Sequence, residues 1–149
     1  MISPEIYRII AENSRDVIAL WDTELRPLYV SPSVETMLGY SPAELIARYK
    51  SFEELNPLFA HKSAARRQQK NLINRLMATG KPGDKPIDGA MKARDGRIVW
   101  VETTFNQFCS EGAQEGFVSI TRDITARKLA EDKLRDNERR YRLLTENIL

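Results

Sequence analysis

Groups able to do acid–base, nucleophilic or metal chemistry are sparse in this chain. It holds one histidine, His61, and one cysteine, Cys109. An internal disulfide is therefore excluded, and no cluster of thiolates and imidazoles remains for structural zinc. A serine relay needs a base in reach of the nucleophile and an acid to orient it, and no such set assembles around His61. Carboxylates are plentiful, but Glu53-Glu54 and Glu131-Asp132 fall at a helix start and on an exposed helix, where acids serve capping and solubility. No glycine-rich phosphate loop precedes a helix. No catalytic residue and no metal site are expected, and no enzyme activity in this stretch.

Charge gives one further candidate. Between Asn56 and Gly83 there are six Lys/Arg and no acid, with Lys62, Arg66 and Lys70 at four-residue spacing on one helical face. Such a stripe could face an anion or nucleic acid. Phosphate binding normally needs a broader patch, and the formal charge of the chain is only +2, so a solvated face is expected and no nucleic-acid partner. No apolar run approaches the roughly 20 residues a bilayer requires, and the N-terminus lacks a signal-peptide core. A reducing, cytoplasmic setting is the expectation for this segment, with membrane anchoring of a parent protein left open.

Function must then rest on the elements. Ser3-Pro4-Glu5 sets a capping serine before proline at the first helical position, and Ile6, Ile9 and Ile10 mark one face of a short helix expected within residues 1–16. Two apolar runs, Val17 to Trp21 and Leu28 to Val30, parted by the turn-like Asp22 to Pro27, predict a β-hairpin. From Pro32 to Gly80 helix starts replace strand signals: the capping boxes Ser41-Pro42-Ala43-Glu44 and Ser51-Phe52-Glu53-Glu54, then Asn56-Pro57. The third of these helices should be the longest, anchored by Leu58, Leu72, Ile73 and Leu76 and stopped by Gly80 and Pro82. Three strands follow. Ile87 to Arg94 turns at Asp95-Gly96 into the long run Arg97 to Cys109, and a loop holding Gly112 and Gly116 leads to Phe117 through Arg122. From Thr125 onward the chain has no Gly or Pro and alternates charges with leucines, which predicts one continuous helix. The sum is an α+β plan: a five-stranded antiparallel sheet with helices on one face, an N-terminal helix and a C-terminal helix.

Within that plan the runs Val17-Ile18-Ala19-Leu20-Trp21-Asp22, Leu28-Tyr29-Val30-Ser31-Pro32-Ser33 and Met37-Leu38-Gly39-Tyr40-Ser41-Pro42-Ala43-Glu44-Leu45 resemble the N-terminal half of a PAS domain of the sensory-box type. Lys92-Ala93-Arg94-Asp95-Gly96-Arg97-Ile98-Val99-Trp100-Val101-Glu102 and Gly116-Phe117-Val118-Ser119-Ile120-Thr121-Arg122-Asp123-Ile124-Thr125 are similar to its C-terminal half, the PAC motif. The resemblance spans essentially the whole chain. It implies a PAS domain over residues 17–125 that senses and relays and does no chemistry of its own. The parent it implies is a multi-PAS, bacterial-type signalling protein. Neither a histidine-kinase phosphoacceptor nor the Gly-Gly-Asp/Glu-Glu-Phe signature of a diguanylate cyclase is present, so an effector, a two-component kinase in preference to a cyclase, is expected downstream.

Side-chain alternation sends Val99, Val101, Thr103 and Phe105 to one face of the long strand and Trp100, Glu102, Thr104 and Asn106 to the other. The first set is the more apolar and should meet the helices. The resemblance makes that interior a small-molecule pocket, lined by Val101, Thr103 and Phe105 with Ala19, Trp21 and Met91 from other strands, and Leu72, Ile73 and Leu76 from the long helix. It also turns Phe117, Ser119 and Thr121 inward, placing two hydroxyls in an apolar cavity, a mix that suits a small ligand. The other reading of the same faces is a solid core whose hydroxyls are satisfied locally, in a module that only dimerises. Cofactor identity is unknown. Haem is not expected: the axial-histidine position of haem-binding relatives falls close to Gln69, and His61 lies about two turns earlier. A cysteine-adduct flavin is not expected either, because Cys109 ends a strand and stands outside any Gly-x-Asn-Cys-Arg motif.

The last helix is the expected output. Ala130, Leu134, Asn137, Tyr141, Leu144 and Ile148 repeat at alternating four- and three-residue spacing, the seam of a coiled coil in a homodimer, with Asn137 fixing register. Packing of this stripe on the chain's own sheet, or on a next domain, is the competing expectation. Asp123, Ile124 and Thr125 form the junction between sheet and helix, with Thr125 placed to cap it. The opening motif Tyr7-Arg8-Ile9-Ile10-Ala11-Glu12-Asn13 returns as Tyr141-Arg142-Leu143-Leu144-Thr145-Glu146-Asn147, identical at four of seven positions. Residues 126–140 are therefore expected to be a helical linker and 141–149 the start of a second repeat, an adjacent PAS domain in the same chain.

Overall fold

The computed structural model describes residues 3–50, 71–72, 74–75, 78–79 and 86–148. Helix α1 (Pro4–Asn13) starts where Ser3 Oγ accepts the Ile6 N–H and ends where the Asn13 amide donates to the Ile9 carbonyl at 2.8 Å. None of its residues is buried, so the Ile6, Ile9 and Ile10 face is open.

Strands β1 (Val17–Asp22) and β2 (Pro27–Val30) form the expected hairpin. Asp22 organises its turn: Oδ1 accepts the N–H groups of Glu24 and Arg26 at 2.9 Å each, Oδ2 accepts Arg26 Nε at 2.7 Å, and Leu25 is held at φ 62. Burial pushes the Asp22 carboxyl up. The Arg26 backbone and guanidinium and the Glu24 N–H more than offset that and hold it below its ordinary value.

Helix α3 (Pro42–Arg48) begins at the capping box read from sequence: Ser41 Oγ accepts Glu44 N–H at 3.1 Å, and Glu44 Oε2 accepts Ser41 N–H at 3.4 Å. Ahead of it stands α2 (Ser33–Leu38), which has no sequence signal at its start because Pro32 occupies the N-cap without a capping side chain. Gly39, at φ 81, ends α2 in the left-handed conformation that glycine tolerates best. The starts at Ser51 and Asn56, and the anchors Leu58, Ile73 and Leu76, lie outside the described residues. Leu72 is described and buried.

Strands β3 (Ile87–Lys92), β4 (Ile98–Ser110) and β5 (Ala113–Asp123) complete a sheet of order β2-β1-β5-β4-β3 in which every neighbouring pair is antiparallel. Two strand ends differ from the sequence expectation. β3 stops at Lys92 because the Ala93 N–H turns to the Arg97 carbonyl and the Arg94 N–H goes to the Leu38 carbonyl, each at 2.8 Å. Gly116 is not in a loop: it pairs with Asp22 and Phe108 inside β5, and the connection shrinks to Glu111-Gly112, at φ 52 and 82, a two-residue primed turn. A Cβ on Gly116 would stand 2.0 Å from the Trp21 carbonyl oxygen and 2.9 Å from the Phe108 ring, so glycine here serves close strand approach.

Alternation along the sheet is as the pattern requires. Val99, Val101, Phe105, Phe117 and Ser119 are buried on the helix-facing side, while Trp100, Glu102 and Thr104 are half-buried on the other. Helix α4 (Thr125–Ile148) leaves the end of β5 as a single rod about 36 Å long. No helix among the described residues is long and apolar enough to cross a membrane.

Candidate functional site

Between sheet and helices lies a cavity of about 110 Å³. Its floor is the inner sheet face: Ala19 and Trp21 on β1, Met91 on β3, Val101, Thr103 and Phe105 on β4, Ser119 and Thr121 on β5. Leu72 joins the wall from the helix side. Phe117 is in the core, 1 % exposed, but does not reach the cavity. Ile73 and Leu76, like His61, Gln69 and the Lys62, Arg66, Lys70 stripe, lie outside the described residues.

The roof was not read from sequence. Val34, Met37 and Leu38 of α2, Leu45 of α3 and Tyr49 close the cavity from above. The Met37-Leu38-Gly39 run carried that information, as apolar residues just before a helix-stopping glycine. Arg94 latches this roof to the β3–β4 turn. Its Nε donates to the Gly39 carbonyl at 3.0 Å, its guanidinium pairs with Glu44 and stacks 4.7 Å over the Tyr40 ring, and Arg97 reaches the Met37 carbonyl at 3.3 Å.

Polar groups in the cavity are few and engaged with one another. Trp21 Nε1 donates to Ser119 Oγ at 2.8 Å, and the Thr103 and Thr121 hydroxyls, directly opposed across β4 and β5, lie 3.0 Å apart. Ser119 Oγ is an acceptor in its bond, so its own proton is left to donate, with no acceptor among the described residues. The interior thus offers an apolar surface with a hydroxyl donor; the one charged residue among its described lining, Asp88, is exposed on β3. No group of His, Cys, Asp and Glu among the described residues could hold a metal ion, and Cys109 is exposed at the far end of β4.

The cavity floor runs directly into the exit helix. Trp100, next to Val101, has its carbonyl taken by Ile124 N–H at 2.8 Å and donates its own N–H to Thr125 Oγ1 at 3.0 Å. Lys128 lies 5.3 Å from the centre of the Trp100 ring, and Arg127 reaches Glu102 at 3.3 Å. Thr125 therefore does not cap α4. Asp123 does, accepting the Thr125 N–H at 2.9 Å, and the threonine hydroxyl ties the helix to the strand instead. Ile124 is buried beneath this junction.

Further along, Ala130, Leu134, Asn137, Tyr141 and Leu144 are all exposed; Ile148 ends the helix and its side chain is outside the described residues. At 100° per residue the stripe lies roughly 200–280° round the helix from Ile124, facing away from the strand that holds the first turn. It does not pack on its own sheet.

Comparison with known proteins places this geometry. No curated relative matches the chain. Among solved structures, a sensory box histidine kinase/response regulator from Burkholderia thailandensis superposes with a TM-score of 0.64 at 19 % identity, covering 91 % of this chain and 97 % of that one. The PAS domain of an HTR-like protein from Haloarcula marismortui gives 0.56 at 27 % identity over 80 % and 90 % of the two chains. A domain of a sensory box sensor histidine kinase/response regulator from Geobacter sulfurreducens gives 0.56 at 21 % over 80 % and 92 %. The family model described as the PAS fold matches residues 11–129, from the end of α1 through the first turn of α4, and the chain belongs to that family.

Proposed function

We propose that this PAS domain is a sensory module that takes a small, mainly apolar ligand into the cavity above β4 and relays its presence through α4. The observation that carries this reading is continuity: Val101 floors the cavity, and its neighbour Trp100 is bonded through both backbone groups to the first residues of α4. Ligand-dependent movement of β4 would bias the direction in which α4 leaves the sheet. The ligand class follows from the lining. Apolar walls with the Ser119 hydroxyl proton suit a small molecule with one acceptor oxygen or nitrogen and an aliphatic body.

Downstream, residues 126–140 act as the helical linker and 141–149 begin a second PAS domain. A histidine kinase is the effector favoured over a diguanylate cyclase, supported by the two sensory box kinases with the same fold. The module works in the cytoplasm, where Cys109 stays free, as part of a homodimer. A ligand-free dimerisation module is the second reading, and a specific observation favours it: Ser119, Thr103 and Thr121 already bond within the protein. Native mass spectrometry of protein expressed in rich medium separates the two. A retained mass at fixed stoichiometry supports the sensor; a bare dimer that no small apolar probe stabilises supports the second reading.

A further inference from the structure

The two ends of the roof helix α2 are held by different parts of the fold. At its start, Ser33 Oγ donates to the Asp16 carbonyl at 2.8 Å and lies 2.8 Å from Ser31 Oγ, which accepts the Ile18 N–H at 2.9 Å. That end is pinned to β1. A helix leaves its last carbonyls without partners, and in α2 the β3–β4 turn takes three in succession. Met37 accepts from the Arg97 guanidinium at 3.3 Å, Leu38 from the Arg94 N–H at 2.8 Å and Gly39 from Arg94 Nε at 3.0 Å. Glycine at 39 permits this approach, since a Cβ there would stand 3.2 Å from Arg94 Cβ. The turn is braced within itself: Ala93 N–H donates to the Arg97 carbonyl at 2.8 Å, Gly96 N–H to the Ala93 carbonyl at 3.0 Å and Arg97 N–H to Asp95 Oδ1 at 3.0 Å. Three residues beyond Arg97, about 10 Å along β4, stands Trp100, bonded through both backbone groups to Ile124 and Thr125.

We propose that α2 is the moving wall of the cavity and that Arg94 and Arg97 are the positioning residues that carry its movement to α4. A ligand lifts the Met37–Leu38 end of α2, the β3–β4 turn follows, and β4 shifts at Trp100. This rests on the sensor reading of the cavity and names the part that moves. The floor yields poorly, because its strands are bonded to their neighbours along their length. The start of α3 is fixed by its reciprocal cap. By contrast α2 is six residues long, has no capping side chain at its start, and sets Val34, Met37 and Leu38 against the cavity, so among the described walls it gives first. Its hinge is the serine pair on β1, and its swinging end is the one the turn holds. Binding then works against the latch, and by linkage a weaker latch means tighter binding. If Arg94 only held the roof in shape, its loss would loosen the walls around the ligand and weaken binding instead.

The chain's two tryptophans report the two ends of this route, Trp21 in the cavity lining and Trp100 at the junction with α4. The full chain, labelled with fluorotryptophan, is titrated with cyclohexanone and separately with hexanol, and followed by fluorine NMR. In the wild type both lines should move together. In Arg94→Ala and in Arg97→Ala the Trp21 line should move at about fivefold lower probe concentration, while the Trp100 line loses most of its shift. Arg94→Lys keeps a charge facing Glu44 but cannot serve that carboxylate and the Gly39 carbonyl with one fork, so it should behave as the alanine variant does. Full recovery of the Trp100 response by lysine overturns the assignment of the strap to the bonds with α2. A Trp100 line that moves in the alanine variants as far as in the wild type, while Trp21 titrates, overturns the proposal and leaves the sensor reading standing, with the floor as the route. Weaker probe binding in both alanine variants overturns it in the same way. A Trp21 line that neither probe moves in the wild type overturns the sensor reading and the proposal with it.

Discussion

Val101→Trp distinguishes an open cavity from a closed core by the sign of a stability change. Val101 is 2 % exposed and floors a cavity of about 110 Å³. Empty volume in an apolar core costs about 24 cal/mol per Å³, so this cavity withholds about 2.6 kcal/mol from the ligand-free domain. An indole grown from Val101 recovers part of that. Imperfect fit and lost rotamer freedom take back about 1–2 kcal/mol, leaving a net gain of about 0.5–1.5 kcal/mol. In a closed core the same substitution over-packs and costs about 1–3 kcal/mol. Urea unfolding of ligand-stripped protein reads the difference. With a slope of about 2 kcal/mol/M, the midpoint rises by about 0.3–0.8 M in the first case and falls by about 0.5–1.5 M in the second. The variant should also copurify with no small molecule. A lower midpoint at unchanged slope, together with the wild-type ligand still bound, would refute the reasoning.

Gly116→Ala should destabilise by about 3 kcal/mol or more, since its Cβ meets the Trp21 backbone at 2.0 Å and backbone in a central strand cannot step aside; the urea midpoint checks it. Arg94→Ala removes the pairing with Glu44, the bond to Gly39 and the stacking on Tyr40, for an expected loss of about 1–2 kcal/mol and faster amide exchange in α2. In high salt the wild type loses the Arg94–Glu44 part of this margin, so the difference between the two proteins should shrink. Asp22 is held below its ordinary value of 3.8, so it contributes stability above that pH and loses it as pH falls through the lower folded value. Asp22→Asn should therefore lower the midpoint at pH 6 and make no difference once the carboxylate is protonated in both states.

Period and punctuation carried most of the architecture. Val99, Val101 and Phe105 could be turned inward because a strand alternates strictly, and α3 could be placed because Ser41 and Glu44 spell a reciprocal cap. Legibility failed where tertiary contacts choose. Gly116 reads as a loop glycine, yet it is required by the Trp21 carbonyl, a residue 95 positions earlier. Thr125 reads as a cap, but its hydroxyl is claimed by Trp100 and the cap passes to Asp123. The cavity roof was missed for a related reason. α2 starts behind a proline with no capping side chain, so nothing local announces the helix whose Val34, Met37 and Leu38 close the site.

The central position of β1 and β5 governs how such a domain can be strung with others. Val17 lies opposite Thr121, and Asp16 grips Arg122 at 3.1 Å, so the chain arrives and departs at the same end of the sheet, side by side. Everything between hangs to one side of that point. A domain with this geometry can be inserted into a helical rod, duplicated or deleted without cutting any strand pairing in its neighbours. The α1 motif recurs along α4, as repeated insertion of such a unit would leave it. In an array of this kind each copy would keep its own core and cavity, and its neighbours would feel it through the pitch and phase of the shared helix.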